Sequence, residues 1–273
     1  MAQEKQDFKY IYGPVSSWRL GRSLGVDPIA QKHKVCCFDC VYCQVGREKP
    51  VIAKRRVFID ADNIIAEIKT LPEVIIDCIT LSGTGEPTLA ANLGRLIRAI
   101  KKIRPEPVAV ITNSVLLGQK TVRDQLLEAD IIMAKLDAST NDVLISVNNP
   151  YKNITALKII TGLKKLRKVY KGTLALQIMF VKENQHIAEE IALLAKKIKA
   201  DKIYINTPLR ASECKPLSKA QILQIKKVFL SHGLQAQSVY DVKKENVLAI
   251  NTAQTRRVRR LYNSKKKRVF KRR

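Results

Sequence analysis

Four of the six cysteines, Cys36, Cys37, Cys40 and Cys43, fall within eight residues. Thiols crowded into one loop point to metal or redox chemistry, whereas a disulfide scaffold spreads its cysteines along an exported chain. Cys36, Cys40 and Cys43 have the spacing C-x3-C-x2-C. Three thiolates on a short loop can hold three irons of a cubane cluster and leave the fourth iron open, whereas electron-transfer ferredoxins supply four thiolates. Zinc is an alternative, with Cys37 or His33 completing four ligands. The register Cys37, Cys40, Cys43 also fits the spacing, and an inert structural knot is a third reading.

The elements that must position these groups follow the loop. Continuous apolar runs occur at 74–83, 108–114, 131–139, 174–181 and 202–207. Such runs read as strands buried on both faces. Between them lie helical periods: Leu89, Leu93, Leu96, Ile97 and Ile100, then Ile187, Ile191, Leu194 and Ile198. Further helices are expected at 61–71, 121–128 and 218–230, and around Ile154, Leu157 and Leu166 after Pro150. The βα alternation predicts parallel strands in an α/β fold. Five clear strands and one near the cysteines make six, fewer than the eight of a closed barrel. An open partial barrel and a doubly wound sheet both fit this pattern. In either, chemistry gathers at the C-terminal strand ends. There the chain places Gly83-Thr84-Gly85-Glu86, Thr112-Asn113-Ser114, Asp137 and Asn206-Thr207 followed by Arg210.

C-x3-C-x2-C with Tyr42 before the last cysteine resembles the signature of the radical S-adenosylmethionine (SAM) superfamily. The resemblance implies a partial (β/α)6 barrel, a [4Fe–4S] cluster on Cys36, Cys40 and Cys43, and SAM chelated by the open iron. It also implies one-electron reduction by a donor such as flavodoxin or ferredoxin, SAM cleavage and hydrogen abstraction from a substrate. Gly83, Gly85, Glu86 and Pro87 resemble the superfamily's GGEP motif, in which glycine lets backbone approach the ligand and an acceptor meets the SAM ammonium. Tyr42 is expected beside the adenine. Asp137 corresponds to a ribose-contacting position, with helix N-capping as its other reading. Asn113 and Ser114 resemble a Thr-Asn-Gly stretch with serine in place of glycine, and Val181 falls at an adenine-contacting position, with a core valine as its other reading. The leader from Gly13 to Asp27 resembles GPVPSRRLGxSLG, which precedes CxxDCxYCQ in one radical SAM family related to wyosine-type tRNA-modifying enzymes. Here Ser16 replaces the usual proline and Trp18 the usual arginine.

Arg19, Arg22 and Arg210 are candidates to clamp a substrate phosphate or carboxylate, with ion pairing to the protein's own acids as the other reading. Cys78 reads as a small core residue and Cys214 as a loop thiol. The chain carries 50 Lys+Arg against 24 Asp+Glu, a net charge of +26. Such a field attracts polyanions. Residues 254–273 hold eleven of these cations and no acid. The expected organisation is therefore a catalytic domain over 1–245 and a basic tail over 246–273. No apolar run approaches the ~20 residues of a membrane helix, and the N-terminus has no secretory h-region. A cytoplasmic enzyme that modifies RNA, either tRNA or rRNA, is the leading expectation. A protein or small-molecule substrate is the alternative. A non-catalytic basic RNA- or ribosome-binding protein with an iron–sulfur or zinc knot is the second alternative.

Overall fold

The computed structural model describes residues 8–46, 54–210, 212–242, 247–250 and 255. The basic segment 256–273 lies outside them. One eight-stranded sheet, with strands in chain order, curls into a half-barrel. Its strands are β1 (Ile11–Ser17), β2 (Gly21–Val26), β3 (Cys78–Leu81), β4 (Val108–Thr112), β5 (Ile131–Lys135), β6 (Thr173–Met179), β7 (Lys202–Asn206) and β8 (Gln237–Ser238). Only the β1–β2 pair is antiparallel; every later pair is parallel.

The five apolar runs form β3 to β7. The strand expected near the cysteines is β2, just before their loop, and the leader adds β1 to it as an antiparallel hairpin. Glycines and Pro14 interrupt any apolar alternation in that hairpin, so its strand character is hidden in the sequence. The cysteines occupy a loop, and β8 is a two-residue addition at the far edge.

Alternate residues of each buried strand serve two different cores, as the two-residue period of a pleated strand requires. Val108, Val110, Ile132, Ala134, Leu174 and Leu176 face the main core beneath the helices. Ala109, Met133, Ala175, Cys78 and Tyr204 face inward, where Leu20 and Trp18 of the hairpin turn pack on them. The turn thereby plugs the N-terminal end of the half-barrel and leaves the C-terminal end for loops.

The connecting helices are α1 (Ala61–Lys69), α2 (Leu93–Ile103), α3 (Lys120–Leu126), α4 (Asn141–Asn148), α5 (Ala156–Val169), α6 (Ala188–Ile198) and α7 (Lys219–Ser231). Leu89 falls in a short 3-10 turn, Pro87–Leu89, rather than in α2. Helix α4 is not announced by its sequence, NDVLISVN, which is rich in β-branched and capping-type residues. It forms because the Thr140 side chain caps its start and Asn149 closes it in a left-handed conformation, φ 41°.

Candidate active site

Docking of two loops builds the site. At the end of β2, the Asp27 carboxylate accepts the Thr84 N–H at 2.8 Å and the Ile29 N–H at 3.0 Å. Val35 N–H donates to the Thr84 carbonyl at 3.2 Å, and Glu86 N–H donates to the Val35 carbonyl at 2.9 Å. The Gly-Thr-Gly-Glu turn after β3 is thus stitched to the cysteine loop. Glycine is required at 85, since a Cβ there would stand 1.9 Å from the Val35 carbonyl oxygen. A Cβ at Gly83 would meet the Asp27 carboxyl carbon at 2.2 Å.

The other side of the cysteine loop rests on α4. Asp39 N–H donates to the Asn148 carbonyl at 2.9 Å, and Val41 N–H donates to the Val147 carbonyl at 3.0 Å. A buried ion pair, Lys34 to Asp39 at 2.8 Å, closes the loop from within. Such a pair stays favourable only when both partners are held and hydrogen-bonded. Lys34 also donates to the Gly46 carbonyl at 3.3 Å.

Cys36, Cys40 and Cys43 all line one cavity of about 390 Å³ inside the half-barrel. Cys37, one residue away, is buried outside that lining and accepts from the Asn113 amide at 3.2 Å. His33 is exposed and does not line the cavity. Among the described residues no three His, Cys, Asp or Glu side chains close around one metal ion. The thiols instead share the wall of a larger space. Burial pushes Cys40 up to about 12 and raises Cys43, while a hydrogen bond with Cys37 and then burial raise Cys36. Three thiolates here need a positive partner, which a metal centre provides. The surroundings already offer donors to the sulfurs: Asn113 Nδ2 to Cys36 at 3.5 Å and Asn148 Nδ2 to Cys40 at 3.3 Å. The donor set therefore fits an iron–sulfur cluster.

Gly83, Gly85, Glu86, Tyr42 and Asn113 line the same cavity. Both Glu86 oxygens are held, one by the Thr88 and Thr112 hydroxyls at 2.6 Å each, the other by Asn113 N–H at 2.7 Å. Burial raises its pKa. Tyr42 donates its hydroxyl to Asp137 and accepts from Asn148 at 3.0 Å and from Lys135 at 3.2 Å. The Lys135 ammonium lies 4.4 Å from the Tyr42 ring centroid. Asp137 is buried behind Tyr42, outside the cavity lining, and its second oxygen accepts Met179 N–H at 2.8 Å. Pro87 starts its 3-10 turn, also outside the lining. Ser114 is left-handed, φ 71°, which accounts for glycine at that point of the resembling motif. Its hydroxyl donates to the Lys135 carbonyl at 2.8 Å. Val181 is fully buried, with its N–H on Asn184.

Two of the three candidate arginines line the cavity. Arg210 does so at its exposed edge, bonded to Gln44 at 2.7 Å, and Arg19 does so from the hairpin turn. Arg22 stands apart at the N-terminal end of β2, paired with Asp77 at 2.5 Å. That is the ion pairing the sequence offered as its other reading. Sequence reasoning missed Asp27, Asn148, Lys135 and Gln177. For the last two a signal existed: each is a polar residue inside a buried apolar strand run, where it needs a partner or a function.

The family profile described as the radical SAM superfamily matches residues 32–203. A UPF0026 protein of Synechocystis is 39% identical over 213 residues, covering 78% of this chain and 79% of that protein. The chain belongs to the radical SAM superfamily and to the UPF0026 family. A more distant relative, named probable GTP 3',8-cyclase, from Saccharolobus solfataricus, is 25% identical over 191 residues, covering 68% of this chain and 58% of that protein. In fold, this radical SAM chain is similar to Streptococcus suis SuiB bound to S-adenosylmethionine. The TM-score is 0.60 at 13% identity, covering 76% of this chain, and the chain spans 48% of that structure. Radical SAM membership makes this protein an enzyme and implies SAM and an iron–sulfur cluster as its cofactors. No helix among the described residues is long and apolar enough to cross a membrane.

Proposed function

We propose that Cys36, Cys40 and Cys43 hold a [4Fe–4S] cluster with SAM at its open iron, and that the enzyme modifies RNA in the cytoplasm. The observation that carries the cofactor reading is the sorting of the clustered thiols: these three line the cavity beside the Gly-Thr-Gly-Glu turn, and Cys37 does not. When bound, the cluster and SAM supply one-electron chemistry, the reductive cleavage of SAM and abstraction of a hydrogen atom from the substrate.

The chain's own residues bind and orient. Glu86, anchored by Thr88, Thr112 and Asn113, offers a fixed acceptor for the SAM ammonium. Gly83 and Gly85 let the turn close against Asp27 and the Val35 carbonyl, which sets Glu86 in the cavity wall. Tyr42, braced by Asp137 and Asn148, presents a ring in the cavity wall for the adenine. Asp137 and Val181 then support the nucleoside end from behind that wall, Asp137 through Tyr42. Asn113 and Asn148 donate to the sulfurs, which stabilises the thiolate form and tunes the cluster's potential. Ser114 and Pro87 fix the turns on which Asn113 and Glu86 sit. A flavodoxin- or ferredoxin-type donor supplies the electron.

Support for RNA comes from charge. A net charge of +26, with eleven unopposed cations in residues 254–273, suits a polyanion. In this reading the segment 256–273 is an arm that holds phosphates while the barrel receives one nucleotide. A second reading, a small nucleotide substrate, is favoured by the relative named probable GTP 3',8-cyclase. Bulk tRNA and rRNA added to the reduced, reconstituted enzyme should raise the yield of 5'-deoxyadenosine above the substrate-free level. A yield unchanged by RNA but raised by mononucleotides would favour the second reading.

A further inference from the structure

The geometry points to an anion subsite on the floor of the cavity, built on Arg19 and Gln177, that seats one phosphate or carboxylate of the substrate. This inference rests on the reading of the cavity as the place where substrate enters.

Arg19 leaves the β1–β2 turn and enters the half-barrel above the apolar plug formed by Leu20, Cys78, Ala109, Met133, Ala175 and Tyr204. The turn lies at the N-terminal end of the parallel strands, where Ser23 pairs with Cys78. The cysteines lie at the opposite, C-terminal end, against the loops after β3 and β4. A guanidinium has five N–H donors in a planar fork. Here Nη1 donates to Gln177 Oε1, and Nε is buried with no hydrogen-bond partner. Among the described residues Arg19 has no carboxylate partner.

The wall of the cavity does not supply one. Glu86 is the carboxylate of the described lining, and it bonds Thr88, Thr112 and Asn113 rather than Arg19. The cations that face the thiols are Lys34 and Lys135. Burial draws Arg19 down to about 10, with Tyr204 opposing the shift. A buried, unpaired charge with an idle donor is costly unless a ligand completes it. A planar oxyanion matches the fork, and Gln177, buried in mid-strand, fixes the fork's orientation. Arg19 is thus a specificity-determining residue for an anionic substrate group.

The chain's single tryptophan, Trp18, reports on this subsite, since the Arg19 guanidinium carbon lies 5.4 Å from its ring centroid. Titration of the full-length protein with inorganic phosphate, and separately with acetate, against a chloride background should give a saturable change in Trp18 emission. The tighter of the two identifies the group. Arg19→Gln should weaken that response by about tenfold or more, the loss of one charge-assisted hydrogen bond. Arg22→Gln, at the Asp77 pair outside the cavity, should leave it unchanged. Arg19→Lys keeps the charge without the fork and should fall between, and it carries the comparison if Arg19→Gln does not fold. No response in the wild-type protein, or an equal response in the Arg19 variants, overturns the subsite. Neither result bears on RNA as the substrate, which the 5'-deoxyadenosine yield tests separately.

Discussion

At the scale of residues, neighbouring thiols have different environments. Cys36 lines the cavity and Cys37 is buried beside Asn113. The spacing left both registers open, because it is blind to which way a side chain points. Replacement of Cys36, Cys40 or Cys43 by alanine should abolish stable cluster binding, while Cys37→Ala should keep near-wild-type iron. Iron counting with Mössbauer spectra checks this, and loss in Cys37→Ala with retention in Cys36→Ala would reverse the assignment. Glu86→Ala removes a fixed acceptor and should weaken SAM binding by roughly 1.5–3 kcal/mol. Calorimetric titration of the cluster-loaded protein measures it, and an unchanged dissociation constant would remove Glu86 from the SAM site. Motif residues such as Glu86 were legible because they sit at a strand end in a recognisable turn. Asn148 was not, since it is an ordinary asparagine at the end of a helix that the sequence does not announce. Its bonds to Cys40, Tyr42 and Asp137 arise only from tertiary placement.

At the scale of elements, the site depends on two docking events that no single segment encodes. The cysteine loop hangs between the Gly-Thr-Gly-Glu turn and α4, and backbone hydrogen bonds hold it to both. Gly85 is the tightest point. Gly85→Ala would force the loops apart and should cost about 1–3 kcal/mol, as overpacking of a filled site does. Urea unfolding of the purified protein, read beside its iron content, tests this. A wild-type midpoint with full iron would show that the loops tolerate separation. The buried strands β3 to β7 were readable from their apolar runs because both faces are covered. The hairpin β1–β2 was not legible as strands, for Gly13, Gly21 and Gly25 break the strand pattern. Gly25 is needed because the Tyr12 ring lies 2.1 Å from where its Cβ would stand.

At the scale of the whole molecule, the half-barrel and the charge act together. The curled sheet encloses the cavity, and in the proposed reading the net charge of +26 draws a polyanion to the protein. The alternation of strand and helix made an α/β fold legible. It left open the choice between curled and flat sheets, because strand tilt depends on packing inside the sheet. Removal of residues 256–273, which spares the buried Thr255 bonded to Gly13, should weaken RNA binding across sequences and flatten its salt dependence. The slope of log affinity against log salt changes by about 0.7 for each single-stranded phosphate that the arm no longer neutralises. Equal slopes for full-length and shortened protein would remove the arm from the account. The central claim, that three cysteines make this chain a SAM-cleaving enzyme, has a direct test. Anaerobically reconstituted protein is reduced with dithionite in the presence of SAM and no substrate, and 5'-deoxyadenosine is quantified by mass spectrometry. The wild-type protein should form it slowly, and the Cys36→Ala, Cys40→Ala, Cys43→Ala triple variant should form none; a fully cluster-loaded wild-type protein that forms none would contradict the claim.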